Sequence, residues 1–146
     1  KGLGCPFGAV LAGPIDLIEN AQVWKQRLGG AMRQAGIMAA AGLYALDHHV
    51  QRLAQDHDNA AALARGIADI PGLKVEPPQT NMVFFDVAAT GLDAPAFCRS
   101  SSELGLLVSP AGATRIRAVT HLDFPASALP KALDIIRRIA TRGRSS

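Results

Sequence analysis

Cysteine is scarce in this chain, aromatic residues are few, and charge is thin. The two cysteines, Cys5 and Cys98, lie far apart with no C-x-x-C spacing, which excludes a disulfide framework or zinc ribbon and fits a reducing compartment, with the cytoplasm as the expected location. Five phenylalanines, one tryptophan and one tyrosine are the whole aromatic content. None is interleaved with the basic cluster Arg137, Arg138, Arg142 and Arg144, so a nucleic-acid surface of stacking and phosphate contacts is not supported. That cluster reads instead as the end of a helix, where cations suit the dipole. Charged residues make up only 18% of the chain, with a net charge of +3. No apolar run approaches the ~20 residues needed to span a bilayer, and the start lacks the basic-then-apolar order of a signal peptide.

Several chemistries are missing as well. His48, His49 and His57 fall on one helical stretch, but residues 49 and 57 would stand ~12 Å apart along a helix, too far to share an ion, and no H-x-x-x-H pair occurs, so no metal site is expected. Ser100 to Ser102 lack a G-x-S-x-G elbow and are expected on an exposed helix face. Neither G-x-G-x-x-G nor G-x-x-x-x-G-K-[ST] is present, which removes the generic nucleotide folds.

What is present is 146 residues with 49% hydrophobic content, enough to build a core. Periodicity and breakers predict a strand at 9–12, a helix over about 14–28 with Leu17, Ala21, Trp24 and Leu28 as its stripe, and a turn at Gly29-Gly30. Residues 32–44 form a small-sided helix that expects burial on several sides, hence an oligomer interface or a further domain. A long amphipathic helix is expected over 47–70, with Gln51, Arg52, Gln55, Asp56, Asp58 and Arg65 toward water, stopped by Pro71-Gly72. Shorter elements follow: strands at 73–75 and 82–87, a helix at 94–104, strands at 106–109 and 116–120, and a last helix over 126–141. Together they describe a small α+β layer with helices on one sheet face.

Three basic residues stand in unusual settings. Lys1 opens Lys1-Gly2-Leu3-Gly4-Cys5-Pro6-Phe7-Gly8, where the glycines would let backbone lie close to a planar ligand held by the lysine, although such a segment also reads as an exposed turn. Arg33 follows the Gly29-Gly30 break near a helix N-terminus, where an anion is welcome; a plain surface arginine fits equally. Arg117 lies in Ile116-Arg117-Ala118-Val119-Thr120-His121, whose alternation puts it on the face of Val119 and His121. A buried arginine there needs a partner, either a ligand carboxylate or an internal salt bridge.

Lys1-Gly2-Leu3-Gly4 with Pro6 and Gly8, Trp24-Lys25, Leu28 to Gln34 (Leu-Gly-Gly-Ala-Met-Arg-Gln), Ala39 to Leu46, Thr80-Asn81 and Val119-Thr120-His121-Leu122-Asp123 form a pattern. It resembles the C-terminal part of the low-specificity L-threonine aldolases, pyridoxal-phosphate enzymes of the aspartate-aminotransferase-like fold. The resemblance implies an α/β fold in which residues 1–45 end the large cofactor-binding domain and 46–146 form a small C-terminal α+β domain. Lys1 would then be the catalytic lysine joined to pyridoxal 5'-phosphate as a Schiff base, Arg33 a ligand of the cofactor phosphate across a subunit boundary, and Arg117 the clamp on the substrate carboxylate. The substrate class is a small β-hydroxy amino acid: L-threonine or L-allo-threonine, cleaved to glycine and acetaldehyde, or a larger phenylserine-type substrate. A homotetramer is the family's assembly. Two departures stand out: Gln26 where many relatives carry lysine, and Ala31 in place of a glycine, which would strain the turn if φ is positive there. With Lys1 as first residue, the chain is expected to be the carboxyl-terminal portion of a longer enzyme; taken as 146 residues alone, it reads as a non-catalytic structural or assembly module.

Overall fold

The computed structural model describes residues 1–6 and 8–143. It divides into two compact units, Lys1–Gln51 and Arg52–Ser146.

The first unit holds α1 (Ile15–Arg27) and α2 (Gly36–His48). Residues 9–12 form no strand, because four apolar residues without a partner cannot satisfy their backbone groups by pairing, and Val10 and Leu11 are exposed. Pro14 at the N-cap position and Asp16 in the first turn start α1 as the sequence predicts. Gly29, at φ 73°, supplies the left-handed residue that ends it. Ala31 does not share that backbone: among the described non-glycine residues only Gln34 has positive φ, so the extra methyl costs the turn nothing. Residues 33–35 are a turn, and α2 starts later and ends later than its small-residue pattern predicts. The expected burial is not met within the chain: α1 buries no residue and α2 only Ala45, leaving Ile15, Trp24, Ile37 and Leu43 exposed.

The single helix expected over 47–70 is interrupted. The backbone turns through 49–52, and α3 (Leu53–Ala68) begins the second unit. Next come β1 (Lys74–Val75), β2 (Met82–Asp86), α4 (Ala94–Glu103), β3 (Ser109–Pro110), β4 (Arg115–Val119) and α5 (Leu129–Gly143). The sheet is antiparallel throughout, in the order β1-β2-β4-β3. Val83 faces Ala118 and Phe85 faces Ile116 across the central pair, and all four are buried. Ala60, Leu63, Ala64 and Ile67 of α3 and Ala132, Ile135, Ile136, Ile139 and Ala140 of α5 join them, each set spaced to make one helical stripe. Phe97 of α4 meets Phe85 edge to face, 5.8 Å between ring centres. The α+β layer with helices on one sheet face therefore forms as expected.

Two polar positions are more enclosed than their sequence predicts. Ser101, expected on an exposed face, is buried and donates its hydroxyl to the Leu106 carbonyl at 2.6 Å. Asp56, expected toward water, is 1% exposed. It occupies the α3 stripe one turn before Ala60, and the Arg52 guanidinium meets it bidentately at 2.6 and 3.1 Å. Arg137, Arg138 and Arg142 are exposed on α5, and Arg144 lies outside the described residues.

Candidate active site

Lys1 begins a tight turn. The Gly4 amide donates to the Lys1 carbonyl at 2.8 Å, and Gly4 sits at φ 76°, a conformation glycine adopts without strain. The main-chain nitrogen of Lys1 donates to the Cys5 carbonyl at 2.8 Å. Two contacts tie the turn to α2: His49 Nδ1 meets the Leu3 carbonyl at 2.6 Å, and Cys5 Sγ donates to the Ala41 carbonyl at 3.6 Å. A carbonyl oxygen can only accept, so His49 Nδ1 is the donor in this bond. His48 and His49 both pack edge-on against Tyr44. Among the described residues no cluster of three or more His, Cys, Asp and Glu could hold an ion. The Lys1 side chain, by contrast, is exposed and forms no ion pair among the described residues.

Arg33 opens the turn before α2 and is exposed. Gln34 beside it has φ 54°, a conformation that costs a non-glycine residue energy and persists only where the surroundings impose it. The N-cap of α2 is Ala35, which offers no side-chain acceptor to the first helical amides. Those amides and the guanidinium beside them lie in the same stretch of chain, and both favour an anion.

Arg117 belongs to the second unit. It is not buried: β4 turns Ile116 and Ala118 into the core, so Arg117 and Val119 face outward, on the sheet face turned away from α3, α4 and α5. The internal salt bridge that was one alternative is absent among the described residues. Its Nε donates to Ser109 Oγ at 3.3 Å, and Phe84 stands directly opposite on β2.

The neighbour on the same face behaves differently. Arg115 donates through Nε and Nη2 to the two carboxylate oxygens of Glu76, both at 2.8 Å, and lies 4.2 Å over the Phe84 ring. Of two arginines on one face, Arg115 is paired with an acid and Arg117 has no acidic partner among the described residues. Sequence reasoning singled out neither Glu76 nor Ser109; the period-two spacing of 115 and 117 shows two arginines on one face but not which has a partner.

Thr120, just beyond β4, anchors this platform. Its amide donates to the Asn81 carbonyl and its hydroxyl to the Asp56 carbonyl, at 2.9 and 2.6 Å, while Asn81 Nδ2 donates back to the Thr120 carbonyl at 2.9 Å. Near the other end of the β2–β4 pair the Thr114 hydroxyl and the Ala88 amide donate to Asp86, and the first of these does most to hold its carboxyl below the ordinary range. Burial pushes the Cys98 thiol up, so it keeps its proton at neutral pH and is no poised nucleophile.

Residues 1–90 match the family model described as beta-eliminating lyase. The chain belongs to the beta-eliminating lyase family. Within it, the low-specificity L-threonine aldolase of Escherichia coli K12 is 42% identical over 123 residues, 84% of this chain and 35% of that protein. Low-specificity L-threonine aldolase 1 of Arabidopsis thaliana is 38% identical over 124 residues, 83% of this chain and again 35% of the relative. The chain thus spans about a third of the length of these relatives, and the resemblance carried by the Lys1, Arg33 and 119–123 segments is borne out. A crystal structure of an L-allo-threonine aldolase candidate from Listeria monocytogenes EGD-E superposes with a TM-score of 0.70 at 22% identity, covering 95% of this chain and 42% of that one. An ornithine δ-aminotransferase from Plasmodium falciparum gives 0.61 at 16% identity, over 75% and 29%. These likenesses establish the expected aminotransferase-like fold for this member of the beta-eliminating lyase family. No helix among the described residues is long and apolar enough to cross a membrane.

Proposed function

We propose that the chain works in an L-threonine aldolase, a carbon–carbon lyase that cleaves L-threonine or L-allo-threonine to glycine and acetaldehyde. Family membership implies pyridoxal 5'-phosphate, and the donor set fits it: an exposed lysine amine free of any acid, and an exposed arginine beside uncapped helical amides. Lys1 would hold the cofactor covalently and Arg33 would hold its phosphate. When bound, the cofactor supplies an electron sink for the pair released as the Cα–Cβ bond breaks. Arg117 binds the substrate carboxylate and so decides which bond on Cα stands where it can be cleaved, an effect of orientation rather than of acid–base chemistry. The observation that carries the reading is the contrast on the open sheet face, where Arg115 is occupied by Glu76 and Arg117 has no acidic partner among the described residues. The exposed apolar side chains of α1 and α2 support assembly with further copies, as a homotetramer.

Borohydride reduction of the full-length protein with pyridoxal phosphate should place the label on the Lys1 side chain. Arg117→Ala in that protein should raise KM for L-threonine by about 30- to 100-fold, the loss of one charge-assisted carboxylate contact, with cofactor absorbance retained. Loss of absorbance with KM unchanged would contradict the role given to Arg117.

A further inference from the structure

The terminal nitrogens of Arg117 meet a carboxylate at lower entropic cost when the guanidinium is already restricted, and the edge strand touches it from one side. Ser109 lies on the edge strand β3 in direct register with Arg117 on β4, so the two side chains leave the sheet on the same face. The pair is reciprocal. The Ser109 hydroxyl donates its proton to the Arg117 main-chain carbonyl at 3.4 Å, and its oxygen accepts from Arg117 Nε at 3.3 Å. A guanidinium has donors only, so the hydroxyl oxygen must be the acceptor toward it. Bonding to the main chain of the same residue sends the hydroxyl proton away from Nε and leaves a lone pair facing it. Pro110 follows Ser109 and is tolerated because β3 is the edge strand.

We infer that Ser109 is a positioning residue for the Arg117 guanidinium: by occupying Nε it leaves Nη1 and Nη2 as an end-on fork for the substrate carboxylate. This rests on the carboxylate-binding role proposed for Arg117. A carboxylate can meet arginine side-on, through Nε and one Nη, or end-on, through both Nη atoms. The Ser109 hydroxyl closes the first approach. It also restricts a long, exposed side chain before the ligand arrives, which raises affinity without a new ligand contact. At 3.3 and 3.4 Å the two contacts lie beyond the usual ranges of about 2.7–3.2 Å for N–H···O and about 2.5–3.0 Å for O–H···O, so each is weak and their effect is the joint restriction of one side chain.

The test uses the full-length holoenzyme. Ser109→Ala should raise KM for L-threonine and the equilibrium dissociation constant of glycine together, by about five- to tenfold, with kcat within a factor of about two. Ser109→Thr keeps the hydroxyl and should restore both. Inhibition by threoninol, in which a CH2OH replaces the carboxylate, should be the same in parent and Ser109→Ala, because neither fork nor positioning acts on it. In an Arg117→Lys background, which has no Nε fork, Ser109→Ala should add no further loss. If Arg117→Lys raises KM while Ser109→Ala does not, the positioning role falls and the carboxylate clamp stands. Should Arg117→Lys leave KM and glycine binding unchanged, the clamp falls and the inference with it. Equal weakening of threonine and threoninol by Ser109→Ala would make Ser109 a structural residue and overturn the proposal.

Discussion

The buried ion pair beneath the platform gives a sign test that few surface interactions allow. Asp56 is 1% exposed at its side chain and Arg52 is 18% exposed, and the guanidinium meets both carboxylate oxygens. Removing one partner of such a pair leaves the other as an uncompensated charge, at a cost of about 3–5 kcal/mol, whereas removing both costs much less. The asymmetry in exposure sets the order of the variants. Asp56→Ala leaves Arg52, whose head can still reach water, so its cost belongs at the lower end, ~3 kcal/mol. Arg52→Ala leaves the enclosed carboxylate, so its cost belongs near the upper end, ~5 kcal/mol. The double variant should therefore be more stable than Arg52→Ala alone. The assay is a double-mutant cycle in the full-length protein by urea unfolding, with hydrogen exchange of the α3 amides locating the change. A double variant less stable than either single variant would refute the reasoning. So would a coupling below ~0.5 kcal/mol, the range of an exposed helical pair. Because the Asp56 carbonyl accepts the Thr120 hydroxyl, a loosened α3 should also raise KM before it abolishes folding.

The Asp86 carboxyl predicts a pH dependence. Its folded-state pKa lies below the unfolded value, with the Thr114 hydroxyl the main cause, so its contribution to stability is present above about pH 4 and is lost as pH falls through the folded value. Thr114→Val should therefore narrow the stability difference between pH 6 and pH 3 in acid titrations followed by circular dichroism; an unchanged difference would remove Thr114 as the cause. Gly66 predicts a packing conflict: a Cβ there would lie 2.7 Å from one methyl of Leu133 and 3.1 Å from its Cγ. Gly66→Ala gains about 1 kcal/mol of helix propensity and meets about 1–3 kcal/mol of overpacking against the Leu133 side chain, so thermal unfolding should show no gain for Gly66→Ala alone but a gain of about 1 kcal/mol when it is added to Leu133→Ala.

The second unit was legible where sequence spacing alone determines structure. The stripes of α3 and α5 repeat at three and four residues and β4 alternates Arg115-Ile116-Arg117-Ala118, so these elements and their core faces follow directly, whereas Met82 to Phe85 of β2 are all apolar and only the pairing with β4 shows which of them are buried. Residues 9–12 misled because a strand is defined by its partner, and four apolar residues say nothing of whether one exists. The break at 49–52 was hidden for a similar reason: no proline or glycine marks it, and His49, at its start, bonds to Leu3 at the opposite end of the unit. Asp56 looked solvated because acids usually are, yet it lies one turn before Ala60 and one turn after Arg52, which together signal an enclosed i,i+4 pair. The residues of the candidate site came from a resemblance, and their availability could not. Whether Arg117 has an acidic partner depends on where Glu76 lies across the sheet, a pairing between strands that no local pattern encodes.

If Arg117 holds the substrate carboxylate as proposed, that pairing bears on what the face selects. Arg115 and Arg117 are two residues apart on one strand face, roughly 7 Å along the sheet. Two free guanidinium groups at that spacing would offer a monocarboxylate two equivalent registers, only one of which could set a scissile bond correctly. Glu76 removes the second. As a half-exposed surface pair, its bond to Arg115 contributes less than about 1 kcal/mol to stability, so its consequence is electrostatic rather than structural. Phe84 reinforces this arrangement by taking the Arg115 guanidinium over its ring, directly opposite Arg117. With Arg117 in its proposed role, the face is left with one position for a carboxylate, and the inferred role of Ser109 sets the direction from which it is met.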